Sequence, residues 1–142
     1  MDNNIDWNNI NNNTIKFSLN GLKIKGKVVS VYDGDTVNIV LPFHLIFGGE
    51  NKFYKFTCRL INVDTPEIRT KNLQEKEYAI KVRDHLRDKI LNQIVTIKCY
   101  DFDKYGRLLI EIFFNNENIN NWLIENQYAK KYDGGTKTKW FV

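Results

Sequence analysis

The sequence predicts an α+β domain, mainly β, and three observations carry that reading. Segments 22–34, 35–43 and 52–64 are enriched in β-branched and aromatic residues that partly alternate with polar ones. The charged stretch 73–90 keeps its apolar residues on one helical face, and two more strand-like segments flank the glycine at 106. At 142 residues, 42% of them apolar and 27% charged, the chain suffices for one hydrophobic core and is too short for two.

Residues 1–20 are rich in asparagine and poor in packing side chains, so the reading expects a flexible N-terminal arm, with the folded domain spanning 21–142. The first three strands follow as a meander. Between the second and third, LPFHLIFGGEN interrupts the ladder at Pro42 and at Gly48-Gly49, and is expected to fold onto its own domain as a hairpin extension. Over 73–90, Ala79, Val82, Leu86 and Ile90 recur at spacings of three and four, which predicts an amphipathic helix with His85 facing solvent. IVTIKCYDFDKYGRLLIEIFF then gives two strands around a turn at Lys104-Tyr105-Gly106. A second helix is expected over 118–126, with Ile119, Trp122 and Leu123 on one face. Five strands with a helix between the third and fourth is the order of an OB-fold barrel, here with two or three helices; such barrels commonly bind nucleic acid or sugar.

The formal charge of +4 and a pI near 9.0 tilt weakly toward anionic partners. Cys58 and Cys99 stand in apolar segments without metal-ligand spacing and read as buried, reduced thiols. MDNNIDWNNINNN carries neither a basic leader nor an apolar run, and no later stretch is apolar enough to span a bilayer. The expectation is therefore an intracellular, cytoplasmic protein without membrane association.

Polar residues concentrate where strands end: Asp33-Gly-Asp-Thr36, Arg59, Asp64-Thr-Pro-Glu67 and Asp103-Lys-Tyr-Gly-Arg107. Each segment taken alone reads as a turn, a helix cap or a strand-end salt bridge. DGDT is no EF-hand, because Val37 and Asn38 stand at its fifth and sixth loop positions, the sixth being the glycine's place. Residues two apart in an extended segment share a face, so Asp33 and Asp35 can converge on a hard cation. Pro66 holds Thr65 extended and restricts the mutual geometry of Asp64 and Glu67. Lys104, Tyr105 and Arg107 would crown a hairpin able to grip a nucleotide. Arg59 and Asp64 are five apart, which in a regular strand puts them on opposite faces, so a bend must intervene before both serve one site.

VYDGDTV, FTCRLINVDTPE and DKYGR, in this order within this pattern of elements, resemble the staphylococcal nuclease (thermonuclease) family from about Leu22 to Lys130. The resemblance implies an OB-fold, Ca²⁺-dependent phosphodiesterase that cuts DNA and RNA with little sequence preference, favours single-stranded or unpaired regions, and leaves 3′-phosphate and 5′-hydroxyl ends. By that resemblance Asp35 and Asp64 give carboxylate oxygens to Ca²⁺ and Thr65 its backbone carbonyl, with Asp33 a supporting acid beside them. Arg59 and Arg107 would clamp the scissile phosphate, Glu67 would serve as base or as water positioner, and Lys104, Tyr105 and Tyr132 would contact the nucleotide. Two carboxylates and a carbonyl imply weak calcium binding, on the order of 10⁻⁴ M or looser without substrate. Protein partners are left open by the sequence.

The sequence departs from the family pattern at four places. The insertion between 41 and 53 is longer than the family's turn, and the loop after Glu67 is shorter. Gln127 replaces a helix-ending glycine, so Asn126 or Gln127 is expected in the left-handed cap. KKYDGGTKTKWFV stands where the family has a third helix, and Trp140 and Phe141 are the expected plugs if this tail takes the helix's place. The second reading from the residues is a nucleic-acid-binding module with weak or no catalysis. Against it, such modules typically lack carboxylates or arginines that this chain retains.

Overall fold

A computed structural model describes residues 4–141; Met1 to Asn3 of the expected arm and Val142 at the domain's end lie outside the described residues. The elements are β1 (Lys23–Val31), β2 (Thr36–Pro42), a one-turn α1 (His44–Phe47), β3 (Phe53–Leu60), β4 (Val63–Asp64), α2 (Leu73–Ile90), β5 (Ile94–Phe102), β6 (Leu108–Phe114), β7 (Glu117–Asn118), α3 (Ile119–Glu125) and β8 (Lys130–Lys131). Antiparallel pairing joins β3 to β2, β2 to β1, β1 to β5 and β5 to β6, and a parallel pairing of β3 with β6 closes five strands into a barrel. This is the mainly β, OB-fold architecture that the order of the segments predicts.

Alternation decides what fills the barrel. Val28, Ile39, Leu41, Cys58, Leu60, Val95, Ile97, Cys99, Leu108, Ile110 and Ile112 point inward and are buried, while their strand neighbours face out. Both thiols are thus core residues, and burial pushes the Cys99 thiol up to about 11 and Cys58 higher still. Helix α2 lays Ala79, Val82, Leu86 and Ile90 against this core, the four residues that its periodicity singles out. The side chain of Asn72 caps it by accepting from the Glu75 N–H at 3.1 Å. His85 is exposed and stacks on Tyr128, with ring centroids 4.9 Å apart.

The insertion folds back on its own domain. Phe43 N–H donates to the Lys52 carbonyl, and the Phe43 ring contacts Phe47, Tyr54 and Phe56. A short helix, α1, stands within the expected hairpin extension. In the arm, residues 4–18 are exposed, yet Leu19 is buried and Ser18 Oγ donates to Asp101. Gln127 takes the left-handed cap after α3, at φ 62°, and its carbonyl accepts from the Tyr78 hydroxyl. Buried Asn120 bolts α3 to β6: its amide accepts from Ile112 N–H and donates to the carbonyls of Ile61 and Ile110.

Candidate active site

The two acidic segments meet because of one missing methyl group. The β1–β2 turn holds Gly34, where a Cβ would stand 2.7 Å from Val82 Cγ1 and 2.9 Å from both Cβ and Cγ2 of Thr65. Only glycine lets this turn lie against the DTPE segment and helix α2 at once. Within the turn, Asp35 N–H donates to Asp33 Oδ1 at 3.1 Å, and Leu60 N–H on β3 donates to the Asp35 carbonyl at 2.9 Å. Asp33 thereby shapes the loop that delivers Asp35.

The bend required between Arg59 and Asp64 is present at Asn62, whose φ is +66°. It turns the chain so that the Arg59 guanidinium donates to the Leu60 carbonyl at the end of β3 at 2.8 Å and to the Val63 carbonyl at the start of β4 at 3.0 Å, and lies 3.5 Å from Asp35 Oδ2. Arg59 is also among the residues that line the cleft described below. On β4, Asp64 pairs with Lys130 of β8, which ties the DTPE backbone to the segment after α3.

Burial sorts these residues from the rest. Among the described residues six polar or charged side chains are buried, and five of them are Asp33, Asp35, Arg59, Asp64 and Thr65; the sixth is Asn120. Burying charge is costly, so such grouping within one site points to function more than to packing. Desolvation, followed by the neighbouring Asp35 carboxylate, pushes Asp33 up to about 7. Thr65 Oγ1 is buried with no hydrogen-bond partner.

Across the site rises the β5–β6 hairpin, with Gly106 at φ 82° in its tip. Asp103 organises it, accepting from the N–H groups of Tyr105 and Arg107 and from Arg107 Nε at 2.7 Å. Partial burial alone would raise the Asp103 carboxyl, but these hydrogen bonds and the Arg107 charge outweigh it and hold the group below the usual range. With Nε engaged, both terminal nitrogens of Arg107 are left to meet a ligand. A cleft of about 360 Å³ is lined by Arg59, Arg107, Lys104, Tyr105, Tyr132 and Lys137, among others. Tyr132 lies under the Arg59 guanidinium at 5.7 Å, and Tyr105 under that of Arg107 at 5.5 Å.

The structure therefore brings Asp33, Asp35, Arg59, Asp64 and Thr65 into one buried group, and places Lys104, Tyr105, Arg107 and Tyr132 around the adjoining cleft. Glu67 sits at the exposed rim, its N–H donating to Glu75. Two side chains of the tail reach the acids without any sequence signal to announce them. Lys137 Nζ lies 3.4 Å from Asp64 Oδ1 and 3.6 Å from Glu67 Oε1, and Trp140 Nε1 donates to Asp64 Oδ2 at 3.3 Å. The expected plugs pack where the tail folds back: the rings of Trp140 and Phe141 lie 5.9 and 6.2 Å from that of Tyr78 on α2.

Among the described residues no trio of His, Cys, Asp or Glu converges on a metal position. The donors on offer are two buried carboxylates, Asp35 and Asp64, beside the Thr65 backbone and its orphaned hydroxyl, an all-oxygen set. That chemistry suits a hard divalent cation and no soft metal, and crowding of acids around Asp33 is what such a cation relieves.

Several known proteins are similar to this chain in sequence. The family model described as staphylococcal nuclease homologue matches residues 57–139, from β3 to the tail. An uncharacterized protein of Methanocaldococcus jannaschii is 33% identical across 75% of this chain, an uncharacterized endonuclease of Escherichia coli O157:H7 26% across 78%, and a thermonuclease of Staphylococcus hyicus 31% across 73%. The chain spans about three fifths of their lengths, at 58%, 62% and 57%. With a family model that covers more than half of the chain, DTPE and DKYGR included, and an OB-fold barrel beneath them, the chain belongs to the staphylococcal nuclease family.

Proposed function

We propose that the protein is a Ca²⁺-dependent endonuclease that hydrolyses DNA and RNA with little sequence preference, favouring single-stranded or unpaired regions. The observation that carries this reading is the junction of a buried acid group with a cleft lined by two arginines. The endonuclease and thermonuclease names of two relatives support it.

In this reading a phosphodiester enters the cleft between Arg59 and Arg107. The two guanidiniums are held in advance, one by the carbonyls of Leu60 and Val63 and the other by Asp103, so little reorganisation is needed when the phosphorane charge develops. Asp35, Asp64 and the Thr65 carbonyl would hold Ca²⁺, which supplies positive charge beside the phosphate and helps to bind it. Glu67 at the rim orients or deprotonates the attacking water. The water oxygen bonds to phosphorus as the P–O5′ bond breaks, and the leaving O5′ takes up a proton from solvent, giving a 3′-phosphate and a 5′-hydroxyl. Tyr105 and Tyr132 offer faces for the bases, and Lys104 a further cation. Asp35, Arg59, Lys104, Tyr105 and Arg107 lie on barrel strands or the turns between them, and the β4–β8 pairing holds Asp64 beside the segment that carries Tyr132.

The second reading, a nucleic-acid binder with little catalysis, draws on the tail: Lys137 and Trp140 between them engage both carboxylate oxygens of Asp64. Arg107→Ala separates the two. An endonuclease loses about 10²- to 10³-fold in kcat, the effect of removing one preorganised charge donor, while single-strand affinity falls only modestly. Equal losses in cleavage and binding would assign Arg107 to binding alone.

A further inference from the structure

The cleft opens onto a sheet face that the cleavage chemistry does not use. Alternation sends Ile39, Leu41 and Cys58 into the barrel, so their neighbours on β2 and β3 face outward in pairs: Thr36 beside Arg59, Asn38 beside Thr57, Val40 beside Lys55 and Pro42 beside Phe53. β1 adds Lys27 next to Val40, with Lys25 two residues earlier on the same side. The row begins at the arginine of the cleft and ends at Phe53, six residues or about 20 Å along β3.

The chemistry of this face is one-sided. β1, β2 and β3 contain no acidic residue, and among the described residues Lys25, Lys27 and Lys55 form no ion pair. A groove of about 370 Å³ runs here with Val29, Val40, Pro42 and Phe53 as its apolar lining and Lys25 and Lys27 at its side. Phe53 is 61% exposed, and Ile94 at the groove's edge 58%. An apolar floor with unpaired ammonium groups beside it matches a polymer that has flat apolar faces and a charge on every repeat. A duplex hides its base faces and gains nothing from the floor, whereas a single strand engages both features.

We infer that the outward face of β1–β3 is a binding track for single-stranded nucleic acid, which leads the strand from the arginine cleft toward Phe53, with bases over the apolar floor and phosphates on Lys25, Lys27 and Lys55. The track rests on the proposed nucleic-acid substrate and extends it: the enzyme would hold several nucleotides on one side of the cut.

The test is binding of a labelled twelve-nucleotide single strand and of a dinucleotide, in chelator so that nothing is cut, over a range of salt. In the Lys25→Gln, Lys27→Gln, Lys55→Gln triple variant the slope of log affinity against log salt for the twelve-mer should fall by about 2, at about 0.7 for each phosphate that the variant no longer neutralises. Phe53→Ala should weaken the twelve-mer by about fivefold or more, the loss of one stacked base. Dinucleotide affinity should stay within twofold in both variants, and thermal melting should show both folded. Twelve-mer binding with unchanged slope and affinity in both variants overturns the track and leaves the nuclease reading standing, as does native protein that binds the twelve-mer no more tightly than the dinucleotide. Native protein that binds neither ligand overturns both readings.

Discussion

Gly34→Ala is a small perturbation with a sign that the geometry decides. Gly34 is outside the left-handed region, so an alanine there meets no backbone penalty, and on chain entropy alone the change would stabilise by about 0.4–1 kcal/mol. The structure predicts the opposite. The new methyl would stand 2.7 Å from Val82 Cγ1 and 2.9 Å from Thr65 Cβ, and neither neighbour is the free end of a flexible chain. Val82 is fully buried on α2, and Thr65 Cβ is fixed to the backbone of the DTPE segment. Overpacking of this kind costs about 1–3 kcal/mol, or roughly 3–10 °C in Tm for a domain of this size. The acidic turn would relieve the clash by moving away from Thr65, carrying Asp35 from Asp64, so Ca²⁺ affinity should fall by about tenfold or more. Thermal denaturation and calorimetric Ca²⁺ titration read both effects. A variant with equal or higher Tm and unchanged calcium affinity would refute the claim that close approach at Gly34 joins the two halves of the site.

Two further expectations concern charge. Asp33, pushed up to about 7 by burial and then by Asp35, keeps a proton in the folded protein at pH values where the unfolded chain has released it. The unfolded state then binds fewer protons than the native one, so metal-free stability should fall as pH rises from about 4 to 7; Asp33→Asn, which keeps the acceptor for the Asp35 N–H, should flatten that slope in denaturant titrations. A slope unchanged by the substitution would assign the pH dependence elsewhere. Lys137→Met should tighten Ca²⁺ binding by about fivefold, the upper end for a half-exposed ion pair at ~1 kcal/mol, and less at high salt. Unchanged or weaker calcium binding would show that Lys137 does not compete for Asp64.

Much of this architecture is legible in the chain because its determinants are local. Alternation marks the five barrel strands, the three-and-four spacing from Ala79 to Ile90 marks the long helix, and a helix that must end without a glycine narrows the left-handed cap to Asn126 or Gln127, of which Gln127 takes it. The need for a bend between Arg59 and Asp64 is readable from strand geometry, and Asn62 supplies it. What escapes is non-local or too short to carry a period. One turn of helix at His44–Phe47 has no repeat to detect, and the two-residue pairing of β4 with β8 has no alternation. Asn120 is one asparagine in an asparagine-rich chain, and nothing local separates a buried amide that holds three backbone groups from its exposed neighbours. Lys137 and Trp140 reach Asp64 from more than seventy positions away, a contact made by the closed fold and by no motif.

In the proposed function the buried acid group and its arginine cleft cut nucleic acid with the help of calcium. Its most direct test is the cleavage of single-stranded DNA and RNA in Ca²⁺, with chelator added to one half of each reaction and Asp64→Asn run beside the native protein. Both polymers should be cut to 3′-phosphate ends in Ca²⁺ and neither in chelator, with at least about a hundredfold loss in the variant. Cutting that persists in chelator, or native protein that binds single strands in Ca²⁺ and leaves them intact, would contradict that function.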